Sequence, residues 1–109
     1  KKNEKNIFLM HELRKNWKKS LEKIVSSLEK NVYVTIDLDV LDPSIMPATG
    51  TPEPGGFTYN ELIEILKLVC EKKNVIGFDC VELMPLPGNH APNATAAKII
   101  YKFLTYKFK

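Results

Sequence analysis

Two apolar segments that both end in acidic residues constrain the fold of this chain most. The first is VYVTIDL, from Val32 to Leu38, which is rich in β-branched residues and lacks a polar alternation. The second is NVIGFDCVEL, from Asn74 to Leu83, which has the same character. Such continuous apolar runs are typical of strands that are covered on both faces of a parallel sheet. The sequence therefore predicts two buried parallel strands whose carboxyl ends carry acids.

Helical periodicity before, between and after these strands predicts an α/β fold. From Asn16 to about Glu29, apolar residues recur at spacings of four, three and four. A second helix opens at Thr58, where Glu61 three residues later completes a capping box. The third runs from about Ala91 to Tyr106, and one of its faces is predicted to hold four apolar residues, namely Ala94, Ala97, Tyr101 and Leu104. With a short strand predicted from Asn6 to Met10, the order is β-α-β-α-β-α, which implies right-handed crossovers.

Asp37 and Asp39 form the first candidate site. Alternate residues of a strand face the same way, so both carboxylates are predicted to point at one place. Two carboxylates held close together repel each other unless a cation lies between them. Oxygen ligands suit Mg²⁺, Ca²⁺ or Mn²⁺, although an isolated DxD pattern is a weak motif. Asp42, within DPS, is predicted to fix a turn rather than to bind an ion.

Other polar residues allow more than one interpretation. Glu82 follows the second strand, and its carboxylate is predicted either to receive a cationic substrate group or to make a local contact. Asp79, inside that strand, is predicted to be a structural hydrogen-bond partner. The stretch from Asp39 to Phe57 is rich in proline and is predicted to lack regular structure. Loops of this length inside a compact domain usually have a function, which favours a functional loop here. His11 and His90 are predicted to make local contacts.

Composition limits the classes of protein to consider. The 109 residues fit one domain, and no apolar run approaches the about 20 residues that a membrane helix needs. The start of the chain lacks the apolar region of a signal peptide. The net charge of +3 is weak and acids interrupt the basic residues, which argues against nucleic acid as a partner. Cys70 and Cys80 are predicted to be buried thiols in a reducing compartment, which predicts a cytoplasmic protein.

Several motifs together resemble the ureohydrolase family of agmatinases and arginases, and bacterial and archaeal agmatinase-like members in particular. The resemblance covers roughly Val32 to Tyr106 and rests on four segments: IDLDVLDP, PATGTPEPGG, GFDCVELMP and HAPNATAAKIIYKFL. It implies a three-layer α-β-α fold with a mainly parallel sheet. Residues 1–109 would be the C-terminal part of a single domain, because the family's GGDH and DAHxD motifs do not occur in this sequence.

The resemblance also implies chemistry and site residues. Asp37 and Asp39 would bind two Mn²⁺ ions, with Asp37 bridging them, and a metal-bridging hydroxide would attack the guanidinium carbon. Glu82 would hold the substrate guanidinium, and Thr49 would line the site. The first choice of reaction is agmatine to putrescine and urea, with arginine, guanidinobutyrate and formiminoglutamate as alternative substrates. The catalytic proton shuttle is expected in the missing N-terminal part, so the 109 residues alone are predicted to be inactive.

Further expectations concern assembly and other functions. The family implies a homo-oligomer, a trimer or a hexamer. A partial sheet is also predicted to expose an edge or a face, which favours self-association or a partner that carries the N-terminal half. One alternative is a phosphatase of the haloacid-dehalogenase type, with Asp37 as nucleophile and Asp39 as acid/base, but its lysine and acidic-pair motifs are lacking. Another is a non-catalytic remnant or assembly module.

Overall fold

The computed structural model describes residues 7–109, and within them two strands and four α-helices form an α/β unit. Two short 3-10 turns, Arg14–Asn16 and Leu38–Val40, lie between these elements. No helix of this described part combines the length and the apolar character that crossing a membrane requires. The elements are α1 (Met10–Leu13), α2 (Trp17–Ser26), β1 (Asn31–Asp37), α3 (Tyr59–Lys72), β2 (Asn74–Val81) and α4 (Ala91–Lys107).

The two strands form a parallel pair, which confirms the predicted class of fold. Val34 lies opposite Phe78 and Asp37 lies opposite Val81, and the register shifts once, between Val32 and Tyr33. A parallel pair needs a long crossover, which here contains α3. Both strands therefore end at the same edge of the sheet.

The predicted strand from Asn6 to Met10 is wrong for residues 7–10, and Asn6 lies outside the described residues. Residues 7–9 have no regular structure, and the backbone carbonyl of Leu9 accepts hydrogen bonds from the N–H groups of Glu12 and Leu13, at 3.0 and 2.9 Å. Ile7 and Leu9 are 59% and 50% exposed, whereas Phe8 and Met10 pack partly buried against the core. A short apolar run without a strand to pair with thus turns directly into α1.

The core lies on one face of the sheet. Ile36 and Val75 are buried there with Ile99 and Phe103 of α4, and the Phe103 ring meets Phe78 edge to face at 4.6 Å between centroids. Fully burying an aromatic side chain of this size stabilises a fold by about 2 to 3 kcal/mol. This layer of helices and strands is therefore held together mainly by apolar burial.

The opposite face of the sheet is open, so the prediction that both strands are covered on both faces is wrong for the described residues. Tyr33 is 57% exposed and Ile76 is 66% exposed. The strands have the composition of a central sheet, but the helices of residues 7–109 share one buried cluster on the other side. The open face matches the prediction made for a partial sheet.

α4 buries a different face from the one that sequence periodicity suggested for packing. Its buried residues are Pro92, Ala96, Ile99 and Phe103, whereas Ala97 is exposed and Tyr101 is 66% exposed. Both stripes have helical spacing, so periodicity alone could not choose between them. The stripe that contains Ile99 and Phe103 is the one that lies against the sheet, where Phe103 meets Phe78.

The predicted capping box at Thr58 is confirmed, and it also anchors the chain before it. The Thr58 hydroxyl accepts a hydrogen bond from Glu61 N at 3.1 Å, and Glu61 Oε1 accepts one from Thr58 N at 2.9 Å. Such a cap stabilises a helix by about 1 kcal/mol. Arg14 donates to Glu61 Oε1 and to the Gly56 carbonyl, both at 2.8 Å. The start of α3 is thus fixed to the end of the proline-rich loop.

Candidate metal centre

Three carboxylates meet at the carboxyl ends of the two strands. Asp37, Asp39 and Glu82 each offer one oxygen, and these oxygens all lie within 4.8 Å of one another. Asp37 is the last residue of β1, and Glu82 follows the last residue of β2. Parallel strands that end side by side bring together residues far apart in sequence, which is where ligands bind in open α/β sheets.

Asp39 reaches the cluster by a route that differs from the predicted one. It does not lie in the strand, because β1 ends at Asp37 and Leu38–Val40 form a 3-10 turn. Asp37 caps this turn, since its Oδ1 accepts a hydrogen bond from Asp39 N at 3.3 Å. Leu38, between the two aspartates, is buried. The proximity of the two carboxylates was predicted, but a turn produces it rather than strand alternation.

Glu82 has a backbone conformation that only few residues adopt. Its φ is 77°, and it is the one non-glycine residue with a positive φ among those that the structure describes. A residue with a Cβ in this region costs about 1 to 2 kcal/mol. Strain of this kind collects at functional sites. Here it accompanies a carboxylate that is held beside Asp37 and Asp39.

The loop after β1 contributes a residue that sequence reasoning missed. Thr51 Oγ1 donates a hydrogen bond of 2.6 Å to Asp39 Oδ2. Thr49, the predicted site residue, is only 7% exposed, and its hydroxyl has no hydrogen-bond partner among the described residues. In the segment TGT both threonines look equivalent, and only the folded loop distinguishes them.

The same loop is fastened to the segment after β2. Met84 N donates to the Ala48 carbonyl at 2.7 Å. A Cβ placed on Gly50 would lie 3.9 Å from Glu82 Oε1, so the loop backbone passes close to that carboxylate. The proline-rich loop therefore borders the acidic cluster, and its functional role stays a prediction.

The pKa values of Asp37 and Asp39 are shifted in opposite directions. The pKa of Asp37 is raised, first by burial, then by its contact with the Asp39 side chain and by the negative charges of Asp39 and Glu82, whereas the hydrogen bond from Asp39 N acts in the opposite direction. The pKa of Asp39 is lowered, first by the hydrogen bond from Thr51 and then by Asp37. Without a cation, the negative charge of Asp37 is therefore less favourable than that of Asp39, and a bound cation would stabilise it. Three oxygen donors of this kind fit a hard divalent ion.

The other predicted candidates lie outside the cluster. Asp79 accepts a hydrogen bond from the Tyr33 hydroxyl at 3.1 Å, which confirms a structural contact. Neither His11 nor His90 belongs to the group of carboxylates. Cys70 is a free, half-buried thiol, and so is Cys80, the other cysteine of the chain.

Asp42 is confirmed as a turn residue and supports an acid-sensitive contact. Its carboxylate accepts hydrogen bonds from Ser44 Oγ at 2.5 Å, Ser44 N at 3.0 Å and Gly55 N at 2.8 Å. These donors, the Ser44 hydroxyl first, lower the pKa of Asp42 from 3.8 to about 2. The stabilisation is therefore present above the ordinary pKa and is lost as pH falls towards 2.

We expect Asp42→Asn to flatten the acid side of the stability profile. The wild-type chain should lose more stability between pH 4 and pH 2 than the variant, because only the wild type must protonate this carboxylate. Urea denaturation at several pH values measures the difference. Parallel profiles for the two proteins in this range would contradict the assignment.

Glu82→Gly is expected to stabilise the metal-free chain by about 1 kcal/mol, because glycine adopts a positive φ without strain and carries no charge into the cluster. Urea denaturation without added metal measures this gain. Glu53→Gly is the matched control, since Glu53 is an exposed loop glutamate without a positive φ. An equal or larger gain for the control would contradict the role of backbone strain.

Comparison with known proteins first identifies the fold. The agmatine ureohydrolase of Thermoplasma volcanium has a TM-score of 0.76 and 29% identity, over 91% of this chain and 33% of that structure. An arginase from Bacillus caldovelox gives a TM-score of 0.78 at 27% identity, over 89% of this chain and 34% of the other. The described part therefore has an arginase-like α/β fold, as predicted.

The sequence then identifies the family: the arginase family model matches residues 1–105, and the chain belongs to the arginase family. It is 44% identical over 87 residues to the N(1)-aminopropylagmatine ureohydrolase of Thermus thermophilus, covering 80% of this chain and 29% of that protein. It is 45% identical over 78 residues to the agmatinase of Pyrococcus horikoshii, covering 72% of this chain and 28% of the relative. The chain thus spans less than a third of the length of these relatives. Because the chain belongs to the arginase family, the alternative of a phosphatase of the haloacid-dehalogenase type is wrong.

Proposed function

We propose that this chain is the C-terminal part of a hydrolase that releases urea from a guanidino compound. The observation that carries the proposal is the meeting of Asp37, Asp39 and Glu82 within 4.8 Å in a chain of the arginase family. An acidic cluster alone would have many interpretations. Its position at the ends of two adjacent parallel strands, bordered by a fixed loop, is what a binding site in this fold requires.

Asp37 and Asp39 are the proposed metal ligands, and Mn²⁺ is the proposed metal. When bound, a pair of such ions supplies a hydrolytic nucleophile near neutral pH and offsets developing negative charge. The contribution of the chain is to hold the ligands in place. Asp37 is fixed by the strand and by its contact with Asp39 N, and Asp39 is oriented by the hydrogen bond from Thr51. Thr51 is accordingly proposed as a positioning residue.

Glu82 is the proposed partner of the substrate guanidinium. A carboxylate and a guanidinium form paired, charge-assisted hydrogen bonds, so Glu82 can both attract and orient this group. The strained backbone and the nearby Gly50 limit where the carboxylate can go. Thr49 remains a proposed lining residue, although its side chain is buried.

Agmatine is the first substrate that we propose, and N(1)-aminopropylagmatine is the second. Both are cationic guanidino compounds, which suits a cluster of three carboxylates. The relatives from Thermus thermophilus and Pyrococcus horikoshii are named for these two compounds. Three alternative substrates remain: arginine, guanidinobutyrate and formiminoglutamate. In each of them, as in agmatine, the carbon atom that would be attacked is bonded to nitrogen atoms.

Residues 1–109 alone are proposed to be inactive. Three carboxylates can bind a divalent ion, but they leave most of the coordination positions of two ions to water or to other residues. We infer that the remaining ligands lie in the part of the relatives that this chain does not span. A non-catalytic assembly module is the alternative for a chain that occurs without that part.

A chimera tests the proposal directly. The matching residues of this chain would replace the corresponding segment of the Thermus thermophilus ureohydrolase, to which they align over 87 residues. With Mn²⁺ present, urea release would be measured for each guanidino substrate and formamide release for formiminoglutamate. We expect urea release by the chimera and none by the 109-residue chain. A folded chimera that binds Mn²⁺ but releases no urea would contradict the proposed function. Enzyme-like turnover by the chain alone would contradict the need for the other part.

A further inference from the structure

A polar cavity lies at the opposite end of β2 from the acidic cluster. It has a volume of about 170 Å³ and lies between the ends of α3 and α4 and the start of β2. β2 has 8 residues, so at about 3.3 Å per residue its two ends are about 23 Å apart. The cavity is therefore separate from the proposed metal centre. Its lining residues are Cys70, Lys73, Asn74, Val75 and Lys107.

Two half-buried lysines are fixed at this cavity by backbone contacts. Lys73 Nζ donates to the Leu28 carbonyl, and Lys107 Nζ donates to the Val75 carbonyl, both at 2.8 Å. An ammonium group has three protons, so each lysine keeps protons for other acceptors, although Lys107 Nζ also lies 4.7 Å from the centroid of the exposed Phe108 ring. Among residues 7–109, neither ammonium forms an ion pair with a carboxylate. Two oriented cations thus share one small polar cavity without an acidic partner in the described chain.

The local charge balance favours an anion. α3 ends at Lys72 and α4 ends at Lys107, and each helix end contributes a charge of about −0.5. The two ammonium groups therefore leave an excess of about one positive charge at the cavity. The negative charge of Glu71 lies close enough to act electrostatically on the Cys70 thiol. The Glu71 side chain is exposed and does not line the cavity, so water and salt screen its charge.

We propose that this cavity binds a small oxyanion through Lys73 and Lys107. A volume of about 170 Å³ has room for one phosphate or carboxylate group. The ammonium protons that do not bind a carbonyl can donate to the acceptor oxygens of such a group. Cys70 forms part of the wall, so a bound anion would cover its thiol.

The Cys70 thiol provides the readout of binding. The chain has two cysteines, so Cys80→Ala leaves Cys70 as the single thiol, and a neutral disulfide reagent measures its reaction rate. We expect inorganic phosphate to slow this reaction at least threefold relative to sodium chloride of equal ionic strength, with EDTA present to remove metal ions. Acetate in place of phosphate tests whether a carboxylate is also accepted. Equal rates in phosphate, acetate and chloride would overturn the proposal.

Variants of the two lysines test whether the protection of the Cys70 thiol by phosphate depends on them. Lys73→Gln with Lys107→Gln should abolish it, whereas Lys107→Arg should retain it because the cation remains. Lys19→Gln removes an exposed lysine of α2 and is the matched control. Protection that survives in the folded double variant would overturn the assignment. If loss of the carbonyl contacts unfolds that variant, the comparison of phosphate with chloride in the Cys80→Ala chain decides alone.

Discussion

Replacing Gly56 by alanine is expected to destabilise the fold by about 3 kcal/mol, the upper end of the range for overpacking. A Cβ at this position would lie 2.5 Å from the Val40 carbonyl oxygen and 2.8 Å from Asp42 N. These are backbone atoms, and they cannot move alone. Phe57 N donates to the Val40 carbonyl at 2.8 Å, and Asp42 N donates to the Phe57 carbonyl at 2.9 Å. Relieving the clash would break this pairing between the two ends of the loop.

The neighbouring glycines are matched controls for this prediction. Gly55 has a φ of 90° but no atoms within 4 Å of an added Cβ, so Gly55→Ala should cost only the backbone strain, about 1 kcal/mol. Gly50→Ala should have a smaller effect still, because its Cβ would make ordinary contacts at 3.8 and 3.9 Å. Urea denaturation of the three variants provides the ranking. A Gly56→Ala variant as stable as Gly55→Ala would contradict the close approach.

The sequence predicted best what local chemistry determines. The capping box of Thr58 and Glu61 involves residues three apart, and it forms as predicted. The two strands and α4 also lie close to their predicted positions, because long apolar runs and helical periodicity are strong signals. The turn at Asp42 is equally local. These features need no knowledge of the rest of the fold.

The predictions that failed depend on contacts distant in sequence. Residues 7–9 are apolar enough for a strand, but β pairing requires a neighbouring strand, and α1 begins instead. The sequence also did not predict the open face of the sheet at Tyr33, because the composition of this apolar segment fits a strand that is buried on both faces. Similarly, the contact of Thr51 with Asp39 depends on how the whole loop closes. Tertiary packing decides each of these features, and the sequence pattern records it only indirectly.

Asp37→Asn is expected to weaken Mn²⁺ binding to the cluster and to slow urea release by the chimera strongly. Asp37 is central to the group, since its carboxylate contacts Asp39 N and feels the charges of both Asp39 and Glu82. Asparagine preserves the shape but offers a neutral oxygen in place of a charged one. We expect at least a tenfold loss of Mn²⁺ affinity in the chain and about a thousandfold loss of kcat/KM in the chimera, about 4 kcal/mol of transition-state stabilisation.

Two further variants show whether this loss belongs to the cluster. Asp79→Asn alters a carboxylate of the adjacent strand that contacts Tyr33 and lies outside the cluster, so Mn²⁺ affinity should stay within a factor of two or so of wild type. Thr51→Val removes the hydrogen bond to Asp39 while keeping its charge, so affinity should fall by a smaller factor than in Asp37→Asn. Isothermal titration with Mn²⁺ measures all three. If Asp79→Asn weakened binding as much as Asp37→Asn, the ion would be held by general negative charge at this end of the sheet, and the assignment of Asp37 as a ligand would be wrong.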